Sequence, residues 1–189
     1  NMGLPLCLFA FGQEGLGLAI AYFAVGAVMQ FTVGMSVASG GAMNLAGLFK
    51  TPVLYAVALG VAFPVMGLSA PEWFDNTVNL LGGMTIPLML TALGVSLSRL
   101  QFSSVRRGAM VAVLRMVIGV GVGFGLAELM GLTGALRGVL IIQCSMPIAV
   151  YNYLFAELYE NEPEAVAGGV LLSTVISFLT LPVLLLLVL

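Results

Sequence analysis

The side chains best suited to chemistry stand in one run, Gln143-Cys144-Ser145-Met146-Pro147-Ile148-Ala149-Val150-Tyr151-Asn152. It holds two amides, a thiol, a hydroxyl and a phenol, and all lie within an apolar segment, residues 134–157, long enough to span a bilayer. Pro147 has no N–H to offer the carbonyl of Gln143, and its ring crowds that carbonyl. Met146 is pushed away from helical angles. The spacing therefore predicts a helix broken or kinked near mid-membrane, which lipid cannot satisfy and only protein or a water-filled cavity can cover. Gln143 and Asn152, with Ser145 and Tyr151 beside them, offer hydrogen bonds to a ligand. A half-helix end adds amide N–H groups and a positive dipole end, a combination that suits an anion without a fixed cation. The competing reading is structural: the polar side chains are interhelical glue and the proline is an ordinary kink.

Three further residues enter on position. Gly3-Leu4-Pro5-Leu6 repeats the small, apolar, proline, apolar order of Ser145-Met146-Pro147-Ile148, and each copy precedes a polar loop and another long apolar segment. Pro5 is thus a second candidate break, and Asn1 a candidate ligand before it. Arg115 is an intramembrane charge, functional by default, about 12 Å in from Arg107 at helical rise. The alternative for Arg115 is a side chain that snorkels to the surface.

Composition fixes the class these residues work in. The chain has 189 residues, 61% of them hydrophobic and 7% charged, and its mean hydropathy is +1.16. That is the composition of an all-α polytopic membrane protein. There is no basic run for nucleic acid, no metal-ligand spacing, no cofactor motif and no histidine, so neither an enzyme constellation nor a metal site is expected. Cys7 and Cys144 lie in apolar segments and read as small packing residues. The chain opens in mid-motif at Asn1, which predicts an N-terminally truncated fragment.

Taken in order, the apolar segments are residues 1–12, too short to span, then 15–38, 52–70, 77–97, 108–130, 134–157 and 164–188. Loops separate them, one of them carrying Pro71, Glu72, Trp73 and Asp75 and another running from Ser98 to Arg107. Lys50 and the Arg99, Arg106 and Arg107 group place their loops in the cytoplasm. The C-terminus then lies outside and the acidic turn from Glu157 to Glu164 inside, with Arg137 a mild exception to the charge rule. Gly119, Gly121, Gly123 and Gly125 make two small-xxx-small pairs, read as helix packing. Thr85 and Ser96 flank a third candidate break at Pro87.

Several motifs in this order resemble the auxin efflux carrier family, whose bacterial members are often described as malonate or other carboxylate transporters. They are Asn1 with Gly3-Leu4-Pro5-Leu6, the run from Gly83 to Leu97, Arg115, Met146-Pro147, and Ser173-Thr174 to Leu181-Pro182. The resemblance implies a ten-helix, inverted-repeat secondary transporter fold of the sodium/proton-antiporter and bile-acid-symporter type. The fourth helix of each five-helix repeat would be broken at a proline, the two breaks crossing near mid-membrane. Residues 1–38 would end the first repeat, 39–51 would be a cytoplasmic linker, and 52–189 would form the second repeat, about seven of the ten helices in all. The resemblance further implies a multi-pass protein of the bacterial inner membrane that moves a small organic anion by alternating access. Its partners would be that anion, the bilayer and the missing N-terminal helices, with a homodimer left open. The rivals are a sodium-coupled carrier of the bile-acid-symporter kind and a non-transporting membrane sensor.

Overall fold

In the computed structural model, residues 2–40, 52–67, 70–85, 87–88, 91, 95 and 105–188 are described, and every regular element among them is helical. Asn1, Lys50, Ser96 and Arg99 lie outside the described residues, with most of the 39–51 linker and of the loop after Ser98. The all-α membrane fold expected from composition is the fold observed. Helix α1 covers Gly3–Met29, passes through a π-helical turn at Gln30–Gly34, and ends as α2, Met35–Ala38. Next come α3 (Pro52–Val65), α4 (Glu72–Gly83), α5 (Val105–Leu129), α6 (Gly134–Cys144), α7 (Val150–Leu158) and α8 (Pro163–Val188). Among the described residues, three stretches are long and apolar enough to cross a membrane: Gly3–Ala38, Arg106–Leu129 and Pro163–Val188.

The first of these is too long for one straight span. Its 36 residues would reach about 54 Å at 1.5 Å per residue, against roughly 30 Å of hydrocarbon. Gly12 resolves the excess: at φ 64°, ψ −150° it leaves helical geometry in a region open to glycine at little cost. The helix bends there into a short piece before Gly12 and a long one after it, as the separation of residues 1–12 from 15–38 anticipated.

Two boundaries differ from the sequence reading. Glu72, Trp73 and Asp75 belong to the first turns of α4 rather than to a loop. Pro71 stands at the N-cap position with φ −58° and ψ 146°, and acidic residues in a first turn favour the helix dipole. Arg106 and Arg107 likewise lie inside α5.

Residues 1–22 and 89–189 form one compact unit, and residues 23–88 a second. In the second unit Thr32 donates to the carbonyl of Val28 at 2.7 Å within the π turn, and Asn79 donates to Asp75 at 3.1 Å along α4. The first unit holds the buried centre. Ile141, Ile142, Val170 and Cys7 are fully enclosed there together with Ser145, Ser173 and Ser177. Its helices meet through small residues, which let backbones approach closely in lipid. A Cβ at Gly108 of α5 would lie 2.7 Å from the carbonyl carbon of Gly168 in α8.

Ion pairs fasten this unit at its two ends. Arg107, at the start of α5, bonds Glu162 in the α7–α8 turn at 3.0 Å. Arg137, early in α6, bonds Glu128 near the end of α5 at 3.0 Å and lies 5.8 Å from the Phe124 ring centroid. The start of α5 and the acidic turn therefore share one end of the unit, as the topology reading requires. Arg137 carries its own local counter-charge. Large apolar side chains such as Val113, Val117, Phe178 and Leu186 are exposed along α5 and α8, an arrangement suited to lipid and not to water.

Candidate functional site

The break announced by Pro147 is present. Helix α6 stops at Cys144 and α7 starts at Val150, with Ser145–Ala149 outside either helix. At the closing end of α6, the Ser145 amide bonds the carbonyls of Ile141 and Ile142 at 3.1 Å, and the Met146 amide bonds that of Gln143 at 3.3 Å. Pro147 then ends the ladder, having no N–H to continue it. Ala149 is extended, at φ −68° and ψ 141°, and leads into α7.

The freed groups are covered by protein. The Ile148 amide donates to Ser173 Oγ of α8 at 3.1 Å, and that hydroxyl donates in turn to the Val170 carbonyl at 3.1 Å. The Cys144 carbonyl accepts from Arg115 Nη1 of α5 at 2.9 Å. The Cys144 thiol meets the Tyr22 hydroxyl of α1 at 3.7 Å. These contacts are the cover that non-helical backbone needs inside a membrane.

The start of α1 closes the other side. The Gln143 side chain is buried and donates to Cys7 Sγ at 3.6 Å. Gly3 lies so near that a Cβ there would stand 2.9 Å from Gln143 Cδ and Nε2 and would collide with Oε1. Pro5 lies within α1. The two proline motifs thus differ in local form: Gly3–Leu6 is helical, while Ser145–Ile148 is not.

Of the residues singled out in the sequence, Gln143, Ser145 and Pro147 meet at the break, with Pro5 on the segment packed against it. Arg115 joins them through the Cys144 carbonyl. Ser145 is fully buried and donates to the Ile141 carbonyl at 2.7 Å, inside its own helix. Asn152 and Tyr151 stand on the first turn of α7, Tyr151 largely exposed. Asn1 lies outside the described residues. Sequence reasoning gave Tyr22 no role, placed Gly3 and Ser173 only within motifs, and read Gly119 as helix packing without naming its partner. Ser173 carried a signal as one of several hydroxyls, with Thr174, Ser177 and Thr180, on a largely apolar span, but nothing in the sequence pairs it with Ile148.

A family model described as Membrane transport protein matches residues 40–185. An uncharacterized transporter of Methanocaldococcus jannaschii is 29% identical over 95% of this chain and 61% of its own length. One of Methanothermobacter thermautotrophicus is 30% identical over 96% of this chain and 61% of its own. Auxin efflux carrier component 8 of Arabidopsis thaliana is 26% identical over 70% of this chain and 38% of its own. The chain therefore spans about three fifths of the length of the two archaeal relatives. No solved structure matches it.

Proposed function

This chain belongs to the membrane transport protein family, and from that premise we propose that it carries the substrate site of a secondary transporter for a small organic anion, such as a mono- or dicarboxylate. The observation that carries this reading is the buried Gln143 amide at the meeting of the α6–α7 break with the start of α1. Half-helix ends at such a junction present polar backbone groups to a ligand in mid-membrane, and amide side chains beside them donate to a carboxylate. Gln143, Asn152 and Tyr151 are the proposed ligands. Asn1 and Ser145 are further candidate ligands, and Pro147 and Pro5 stand on the two segments that meet there. The name of the Arabidopsis relative, an auxin efflux carrier, supports export of an organic molecule.

In this reading residues 1–38 close the first of two inverted repeats, 39–51 link them in the cytoplasm, and 52–189 form the second. The two repeats alternate access to the break from either side of the plasma membrane. The test is flux in proteoliposomes of the full-length protein, with Gln143→Ala and Asn152→Ala beside the wild type. Loss of a hydrogen bond to a charged group is worth roughly 1.5–3 kcal/mol, so anion affinity should fall about tenfold or more with expression near normal. Normal affinity with collapsed expression would make these amides structural glue.

A further inference from the structure

The carbonyl end of α6 is held by a full positive charge. Cys144 is the last residue of α6, and the closing carbonyls of a helix carry roughly half a negative charge. The amides of Ser145 and Met146 bond the carbonyls of Ile141, Ile142 and Gln143, while the Cys144 carbonyl receives the Arg115 guanidinium at 2.9 Å. Gly119, one turn beyond Arg115 on α5, makes the approach possible. A Cβ there would collide with both Arg115 Nη1 and the Cys144 oxygen, whereas Gly121 and Gly125 on the same helix face open space among the described residues.

The charge on Arg115 is only partly offset. Among the described residues the ion pairs join Arg107 to Glu162 and Arg137 to Glu128, and no carboxylate reaches Arg115. An intramembrane arginine in that situation is costly to keep, and a carbonyl dipole neutralises only a fraction of it. An anion at the break would complete the balance. In broken-helix carriers, unwound carbonyls and half-helix C-terminal ends are where a coupling cation binds. Here a guanidinium stands at such an end.

We propose that Arg115 is the resident cation of the break: it fixes the carbonyl end of α6 and supplies the positive charge against which the anion is held, so that the anion moves without sodium or potassium. The proposal rests on the carrier reading above. Arg115 is a positioning and charge-balancing residue, so its loss should weaken anion affinity more than it slows maximal flux.

The test uses the full-length protein in proteoliposomes, with radiolabelled malonate and indole-3-acetate as probes. Wild type, Arg115→Lys, Arg115→Gln and Gly119→Ala are compared in choline, sodium and potassium chloride. Arg115→Gln should raise the KM roughly ten- to a hundredfold, the scale of one lost charged hydrogen bond, with a smaller change in maximal rate. Arg115→Lys should recover much of that loss, and Gly119→Ala, which keeps the charge but displaces it from Cys144, should resemble Arg115→Gln. A wild-type KM in Arg115→Gln, or wild-type flux that requires sodium or potassium, overturns the proposal. Should Arg115→Gln fail to fold, Gly119→Ala and the salt comparison still decide it. If the wild type carries neither probe, the carrier reading fails for those anions, and the cation claim is decided by melting. Equal wild-type midpoints in the three salts uphold it, and a rise in sodium or potassium chloride overturns it.

Discussion

Ser173→Ala is the most direct test of how the break is held open. In the structure the Ile148 amide has been freed from helical bonding by Pro147 and donates to Ser173 Oγ at 3.1 Å. Ser173 is fully buried and Ile148 is 9% exposed, so no solvent waits to replace the hydroxyl. Alanine leaves that buried N–H without its acceptor, a cost of about 1–3 kcal/mol. For a chain of this length each kcal/mol corresponds to roughly 2–4 °C, so the melting midpoint in detergent should fall by about 2–12 °C. Ser177→Ala is the matched control. It lies on the same helix, is equally buried, and donates to the Thr174 carbonyl at 2.6 Å. That bond is local to the helix and its loss is close to neutral. The assay is thermal unfolding of both variants beside the wild type, followed by flux in liposomes. Ser173→Ala should lose stability and flux, and Ser177→Ala neither. Indistinguishable melting of the two variants would refute the idea that Ser173 caps the break.

Two further outcomes are expected. Pro147→Ala restores an N–H and relieves Met146, and alanine is favoured over proline by about 3 kcal/mol in an uninterrupted helix. Melting should hold or rise while flux drops, and retention of both would sink the broken-helix site. Gly108→Ala places a Cβ 2.7 Å from the Gly168 carbonyl carbon and 2.8 Å from the Gly169 nitrogen, backbone that cannot step aside. It should cost about 1–3 kcal/mol as overpacking. Gly121→Ala meets nothing within 4 Å and should be neutral or stabilising by up to about 1 kcal/mol, so equal melting of these two glycine variants would contradict the close α5–α8 contact.

Some of this architecture is written locally. Pro147 breaks its helix because a missing N–H and a crowding ring act on neighbours within four positions, and no folding is needed to know it. The membrane class follows as directly from 61% hydrophobic and 7% charged residues. The limits of local reading show at the two proline motifs, alike in sequence, of which only the second is non-helical. They show again at Gly119 and Gly121, which belong to identical small-xxx-small patterns. Only Gly119 and Gly123 face α6, because helix rotation is set by packing and not by spacing. The partners of the break are likewise invisible to periodicity. Ser173 lies 25 positions from Ile148, Arg115 lies 29 from Cys144, and Cys7 lies 136 from Gln143. The sequence determined where backbone groups would be freed. Only the tertiary structure decided which side chains would satisfy them, because a buried donor takes whatever acceptor the packing of distant helices brings within reach.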